Sequence, residues 1–131
     1  MICYKSGYKY QLAADYEIKL TQLMSFEIAT DYLLLKDGTL TIFKGYAWDG
    51  ASGPAIDTKN FMRGSLVHDV LYQLMREGHL PRGVKAYADE TLRRICIEDG
   101  MSKIRAWWVH EAVKRFGRYG TIKNKDIKVA P

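Results

Sequence analysis

Cysteine is nearly missing from this sequence. Of 131 residues only Cys3 and Cys96 carry a thiol, and two cysteines so far apart make neither a disulfide framework nor a zinc knuckle. Proline is scarce, with Pro54, Pro81 and Pro131 alone, so no proline-rich linker is built in. No run approaches the roughly 18 apolar residues of a membrane span, and no transmembrane segment is expected. The opening MICYKSGYKY lacks the apolar core of a signal peptide, so export by that route is not expected. The histidines are His68, His79 and His110; neither of the others has metal-ligand spacing to His68, which argues against zinc.

What remains is an ordinary globular composition. Hydrophobic residues are 47% and charged residues 27%, which excludes a wholly disordered chain. A single domain, residues 1–131, is the expectation for this length. The net charge of +5 is unevenly placed. Residues 1–60 hold six Lys and no Arg against seven acids, whereas residues 61–131 hold fourteen Lys and Arg against eight. A basic half attracts anionic partners, but it also serves plain solubility. Nucleic acid is not favoured, because no recognition motif accompanies the charge.

The pattern along the chain points to an α+β fold, with N-terminal antiparallel strands or hairpins followed by a three-helix core. Tyr8–Leu12, Asp15–Leu20, Phe26–Leu35 and Thr39–Phe43 read as strands, the last two joined through Asp37-Gly38, a strong hairpin signal. This strand-rich part covers residues 1–45. Residues 46–60 change composition: GYAWDGASGPAIDTKN, from Gly45 to Asn60, is rich in glycine and small polar residues and reads as a long loop. Loops of that length inside a small domain are usually functional. Helices are expected from Phe61 to near Gly78, from Gly83 to Asp99, and from an N-cap at Ser102 to Phe116, forming a helical core over 61–117. In the last helix Ile104, Trp107, Trp108, Glu111, Ala112 and Arg115 show an apolar face that is interrupted rather than continuous. A basic tail follows over 118–131.

Reactive residue types gather in WDGASGP (48–54), HDVLY (68–72) and YADE (87–90). His68 and Asp69 are helix neighbours, so their side chains diverge by about 100°. If the first two helices pack antiparallel, Asp89 comes opposite His68. A carboxylate accepting an imidazole N–H fixes the tautomer and supports general-base chemistry. Asp69 then points toward the glycine-rich loop, which offers Asp49 and backbone carbonyls, the ligand chemistry of a hard cation such as Ca2+. Plainer roles stay open at this point: a structural His68, Asp69 as a surface acid or a partner of Arg63, and Asp89 as a favourable charge for its helix dipole. Ser52 and Ser65 lack the context of a nucleophile elbow, and Cys96 reads as a core residue.

Two resemblances rest on these residues. DGAS-x-P, then HDVLY, then Ala88-Asp89, over roughly Tyr46 to Phe116, resembles an uncharacterised family of small proteins of tailed bacteriophages. The same stretch resembles the bacterial and fungal phospholipase A₂ family, through Ala47-Trp48-Asp49-Gly50, His68-Asp69-Val70-Leu71-Tyr72, the later Asp89, and Glu111 to Gly117. The second resemblance implies phospholipase A₂-like antiparallel helices and a metal-assisted hydrolase of a lipid or other ester. It implies His68 as general base, Asp89 as its orienting acid, and calcium held by Asp69, Asp49 and the Gly50 carbonyl. Tyr72 would be a supporting hydroxyl or core residue, and Trp48 part of the binding loop. That enzyme family is exported and disulfide-bonded, which this chain does not match, and its fold is almost all helical.

Three readings follow. The first is a phage-borne, calcium-assisted hydrolase with a His–Asp dyad, acting on an ester or phospholipid in the infected bacterial host cytoplasm or from the virion. The second is a non-enzymatic protein that binds a virion or host partner (an anti-defence protein, for example) through the Trp48 loop and Trp107-Trp108. The third is a nucleotide- or nucleic-acid-binding factor using the basic half. Convergence of His68, Asp69 and Asp89 in one cleft separates the first from the second.

Overall fold

A tight Asp-Gly turn organises the strand-rich half. In the computed structural model, which describes residues 4–5, 10–48 and 58–116, Asp37 and Gly38 both have positive φ, 52° and 77°. That is the backbone of a two-residue hairpin turn whose twist matches the strands it joins. It connects β5 (Leu33–Lys36) to β6 (Thr39–Ile42), pairing Lys36 with Thr39 and Leu33 with Ile42. β3 (Tyr16–Lys19) lies on the other side of β6, and β4 (Ile28–Ala29) on the other side of β5, giving an antiparallel sheet of order β3-β6-β5-β4. Leu33 and Leu35 alternate inward while Leu34 and Lys36 face out. A one-residue slip would reverse that choice, so burial holds the register.

The strand expected over Phe26–Leu35 is broken in two. Thr30 Oγ1 accepts hydrogen bonds from the backbone N–H of Tyr32 and of Leu33, each at 3.2 Å. A threonine side chain satisfying local backbone groups competes with the strand ladder and bends the chain.

β1 (Tyr4–Lys5), β2 (Tyr10–Leu12) and β7 (Ala47–Trp48) form a second sheet of order β1-β2-β7. The sequence placed Trp48 in a loop. It lies instead in a strand, opposite Tyr10, with ring centroids 5.6 Å apart and only 1% of its surface exposed. Ladder pairing satisfies the backbone at 47–48 and places the indole out of water. The rest of the expected loop, residues 49–57, lies outside the described residues.

Two units divide at Gly50 and Ala51. In the second, α1 (Lys59–Arg76), α2 (Lys85–Glu98) and α3 (Lys103–Phe116) follow one another. A short 3₁₀ turn, Arg82–Val84, leads into α2. Gly78 and Gly100 end α1 and α2 in the left-handed region, with φ of 82° and 102°, where L side chains are strained. Ser102 caps α3, its hydroxyl accepting the Arg105 N–H at 3.2 Å. The contacts of α1 with α2 run in opposite sequence order: Arg63 meets Asp99, Gly64 lies against Cys96 and Leu92, and His68 meets Asp89. The two helices are therefore antiparallel. Their close approach depends on Gly64, where a Cβ would come within 3.0 Å of both Cys96 Sγ and the Leu92 side chain. Phe61, Leu92, Cys96, Met101, Ala106 and Val109 form a common apolar core of all three helices.

Candidate functional site

Two i,i+4 pairs build the site. His68 and Tyr72 share one face of α1, and Lys85 and Asp89 share one face of α2. Antiparallel packing presses these faces together and buries Asp89 to 2% exposure. One carboxylate oxygen, Oδ1, lies 2.8 Å from His68 Nε2 and accepts the Tyr72 hydroxyl at 2.6 Å. The other, Oδ2, accepts from the Lys85 ammonium at 2.7 Å. Lys85 also donates to the carbonyls of Val113 (3.1 Å) and Lys114 (3.3 Å) near the end of α3. A single carboxylate thus ties α1 to α2, and through Lys85 to α3.

The electrostatics follow from this geometry. Burial alone pushes the Asp89 carboxyl up, but hydrogen bonds from His68, Lys85 and Tyr72 outweigh it and hold the group below its ordinary range. Asp89 is therefore an anion. Tyr72 is driven the other way: burial, its hydrogen bond to Asp89 and the Asp89 charge all raise its hydroxyl, which stays protonated as a donor. The His68 and Tyr72 rings lie 4.0 Å apart, which limits rotation of the imidazole.

The chemical consequence concerns the tautomer. When His68 is neutral, the nitrogen facing the Asp89 anion carries the proton, which leaves the lone pair on Nδ1. Asp89 is the one hydrogen-bonding partner of the ring among the described residues, and the side chain keeps 12% of its surface exposed. An oriented imidazole with a lone pair on its second nitrogen is the working part of a general base.

Of the residues singled out in the sequence, His68, Tyr72 and Asp89 are brought together. Asp69 is half-buried beside them on α1. Arg63 engages α2, with Nε 3.0 Å from Asp99 Oδ2 and a weaker contact to Glu98. Asp49 and Gly50 lie outside the described residues. Among the described residues, no group of three or more His, Cys, Asp or Glu is placed to hold a metal ion, so Asp69 is the one expected calcium ligand whose position is known. Trp48 is buried in its strand. His79 stands 3.8 Å from Glu77, and His110 3.6 Å from Glu90. Cys96 is fully buried, and burial, followed by the Asp99 charge, pushes its thiol up to about 12, which suits a core residue rather than a nucleophile.

Lys85 was not anticipated. Its signal was present, a lysine four residues before Asp89 at the opening of a helix, but that spacing is common on solvated surfaces. Only the packing of α1 and α3 around it makes the lysine part of the cluster.

No curated protein and no solved structure matches the chain. A family model does match, over residues 26–113. That span runs from before β4 to near the end of α3 and takes in the whole His68–Tyr72–Lys85–Asp89 cluster. The chain belongs to the family described as "Protein of unknown function (DUF1353)".

Proposed function

We propose that the helical unit is a hydrolytic centre in which His68, oriented by Asp89, acts as general base on a water molecule attacking an ester. The observation that carries this reading is the 2.8 Å contact of His68 Nε2 with a carboxylate that is 2% exposed. Burying an ionised carboxylate costs free energy unless it is well paired, and here its donors include an imidazole that keeps access to solvent. The motif resemblance to phospholipase A₂ supports a lipid ester as the substrate class, and the phage-type motif supports a viral setting.

The steps assigned to this chain are proton transfers. His68 Nδ1 takes a proton from water as the water oxygen bonds to the ester carbonyl carbon. The resulting imidazolium is stabilised by the Asp89 anion through Nε2. When the tetrahedral species collapses and the carbon–oxygen bond to the alcohol breaks, the same proton passes to the leaving alkoxide. Tyr72 and Lys85 hold Asp89 in place throughout. Calcium, if held by Asp69 with the loop, would supply carbonyl polarisation.

The test is hydrolysis of a panel of soluble esters and dispersed phospholipids by wild type and by His68→Ala. The expected loss is about 10²–10⁴-fold, the range of general-base catalysis, with the fold retained because His68 is partly exposed. Hydrolysis that survives in His68→Ala, or a wild type inactive across the panel, would overturn the proposal.

A further inference from the structure

α3 packs with one face and leaves another bare. Ala106 and Val109 are buried in the helical core, and Val113 packs against it. On the outward side Ile104, Trp107 and Trp108 stand at i, i+3 and i+4, so they share one face. They are 75%, 48% and 64% exposed. The two indoles meet edge to face at 4.9 Å and form a continuous ridge with Ile104. Two half-exposed tryptophans and an isoleucine present on the order of 300–400 Å² of apolar surface, the size of the largest apolar patch on many monomeric proteins, a patch that is often functional.

The rim of this face is mainly basic. Lys103 and Lys114 flank it, both exposed and with no ion-pair partner among the described residues. Arg115 lies in line with the ridge. The one acid on this side, Glu111, is mostly covered and pairs with Arg115 at 3.5 Å. The sequence that follows α3 adds Arg118, Lys123, Lys125 and Lys128 against Asp126 alone.

We infer that this face of α3 docks on an anionic lipid surface. Tryptophan is the side chain that settles at the headgroup level of a bilayer, with its ring body in the apolar boundary and its N–H toward water. Lysine and arginine beside an apolar helix face add attraction to anionic headgroups. Charge decides against a second copy of this chain, because a symmetric contact would set the same basic rim against itself. Against single-stranded nucleic acid, the ridge includes Ile104, which offers no surface for base stacking. The inference is independent of the hydrolytic reading, since it uses no residue of the His68 cluster.

The experiment is co-sedimentation and tryptophan fluorescence with two kinds of vesicle. One is pure phosphatidylcholine and the other contains about 30% phosphatidylglycerol, a surface negative enough to attract basic side chains. Wild type is expected to bind the anionic vesicles with a blue shift, carried by Trp107 and Trp108 because Trp48 is already buried. Trp107→Ser with Trp108→Ser should weaken binding at least about tenfold, from lost apolar burial. Lys103→Gln and Lys114→Gln should each weaken it about fivefold. Vesicle binding is read by sedimentation and hydrolysis by product release, so failure of this proposal and failure of the hydrolytic one remain distinct. The proposal is overturned if wild type ignores anionic vesicles at low salt, or if the double tryptophan variant binds unchanged. It is equally overturned if sedimentation equilibrium shows a dimer that the tryptophan substitutions dissolve, or if a single-stranded oligonucleotide binds through the two tryptophans in place of vesicles.

Discussion

Replacing Asp89 by asparagine removes one charge and almost no volume, so it isolates the electrostatics of the cluster. Asp89 accepts from His68, Tyr72 and Lys85. An amide has one accepting oxygen and one donating NH₂, and cannot serve both sides. If its oxygen faces His68 and Tyr72, the NH₂ confronts the Lys85 ammonium, a donor against a donor. If it turns over, the oxygen satisfies Lys85, but Tyr72 loses its acceptor and His68 must present a lone pair from Nε2, which moves its proton to Nδ1. Breaking a buried ion pair from one side costs about 3–5 kcal/mol. The lower end, about 3 kcal/mol, is expected here because Lys85 keeps the carbonyls of Val113 and Lys114. In a chain of this size that lowers Tm by roughly 10 °C. Urea unfolding of wild type and Asp89→Asn at pH 7 measures it.

The pH dependence provides a second readout of the same variant. The folded state holds the Asp89 carboxyl below its ordinary value of 3.8. Its contribution is therefore present above that value and is lost as pH falls through the lower, folded-state value. The gap between wild type and Asp89→Asn should close in acid as the carboxyl takes up its proton. A gap under about 1 kcal/mol at pH 7 (the level of an exposed pair), or one that widens in acid, would refute the reasoning that this carboxylate is a buried, stabilised anion.

The remaining expectations concern the helix interface and the cation. Gly64→Ala should destabilise by about 1 kcal/mol or more despite alanine's better helix propensity, because the new methyl meets Cys96 and Leu92 at 3.0 Å and the Leu92 carbonyl at 3.3 Å; a rise in the unfolding midpoint would contradict the close approach of α1 and α2. Millimolar calcium should raise the Tm of wild type and leave Asp69→Asn unmoved, since a ligand that binds only the folded state stabilises it by mass action. Equal melting of both proteins with calcium and with chelator would remove calcium from the site.

Local chemistry made much of the fold legible from sequence. The Asp37-Gly38 turn, the Ser102 cap and the stops at Gly78 and Gly100 are decided within a few residues, and each appears where its residues require. Trp48 was legible only as an aromatic in glycine-rich sequence. Its strand exists because β2, more than thirty residues earlier, supplies the ladder. The break at Thr30 was hidden for a related reason: a side-chain hydroxyl outbids a ladder that the residue types favour.

For the site, sequence by itself determined the candidates His68, Tyr72 and Asp89 and, through i,i+4 spacing, which of them share a helix face. Tertiary structure decided the rest. Antiparallel packing across Gly64 brought Asp89 to the imidazole, burial turned that contact into an oriented ion-supported hydrogen bond, and α3 drew Lys85 into the cluster. It also decided which apolar residues of α3 are core and which are surface. Ala106 and Val109 face inward and Ile104, Trp107 and Trp108 outward, because only one side of a helix can meet its neighbours. Composition is blind to that choice, since both faces are apolar.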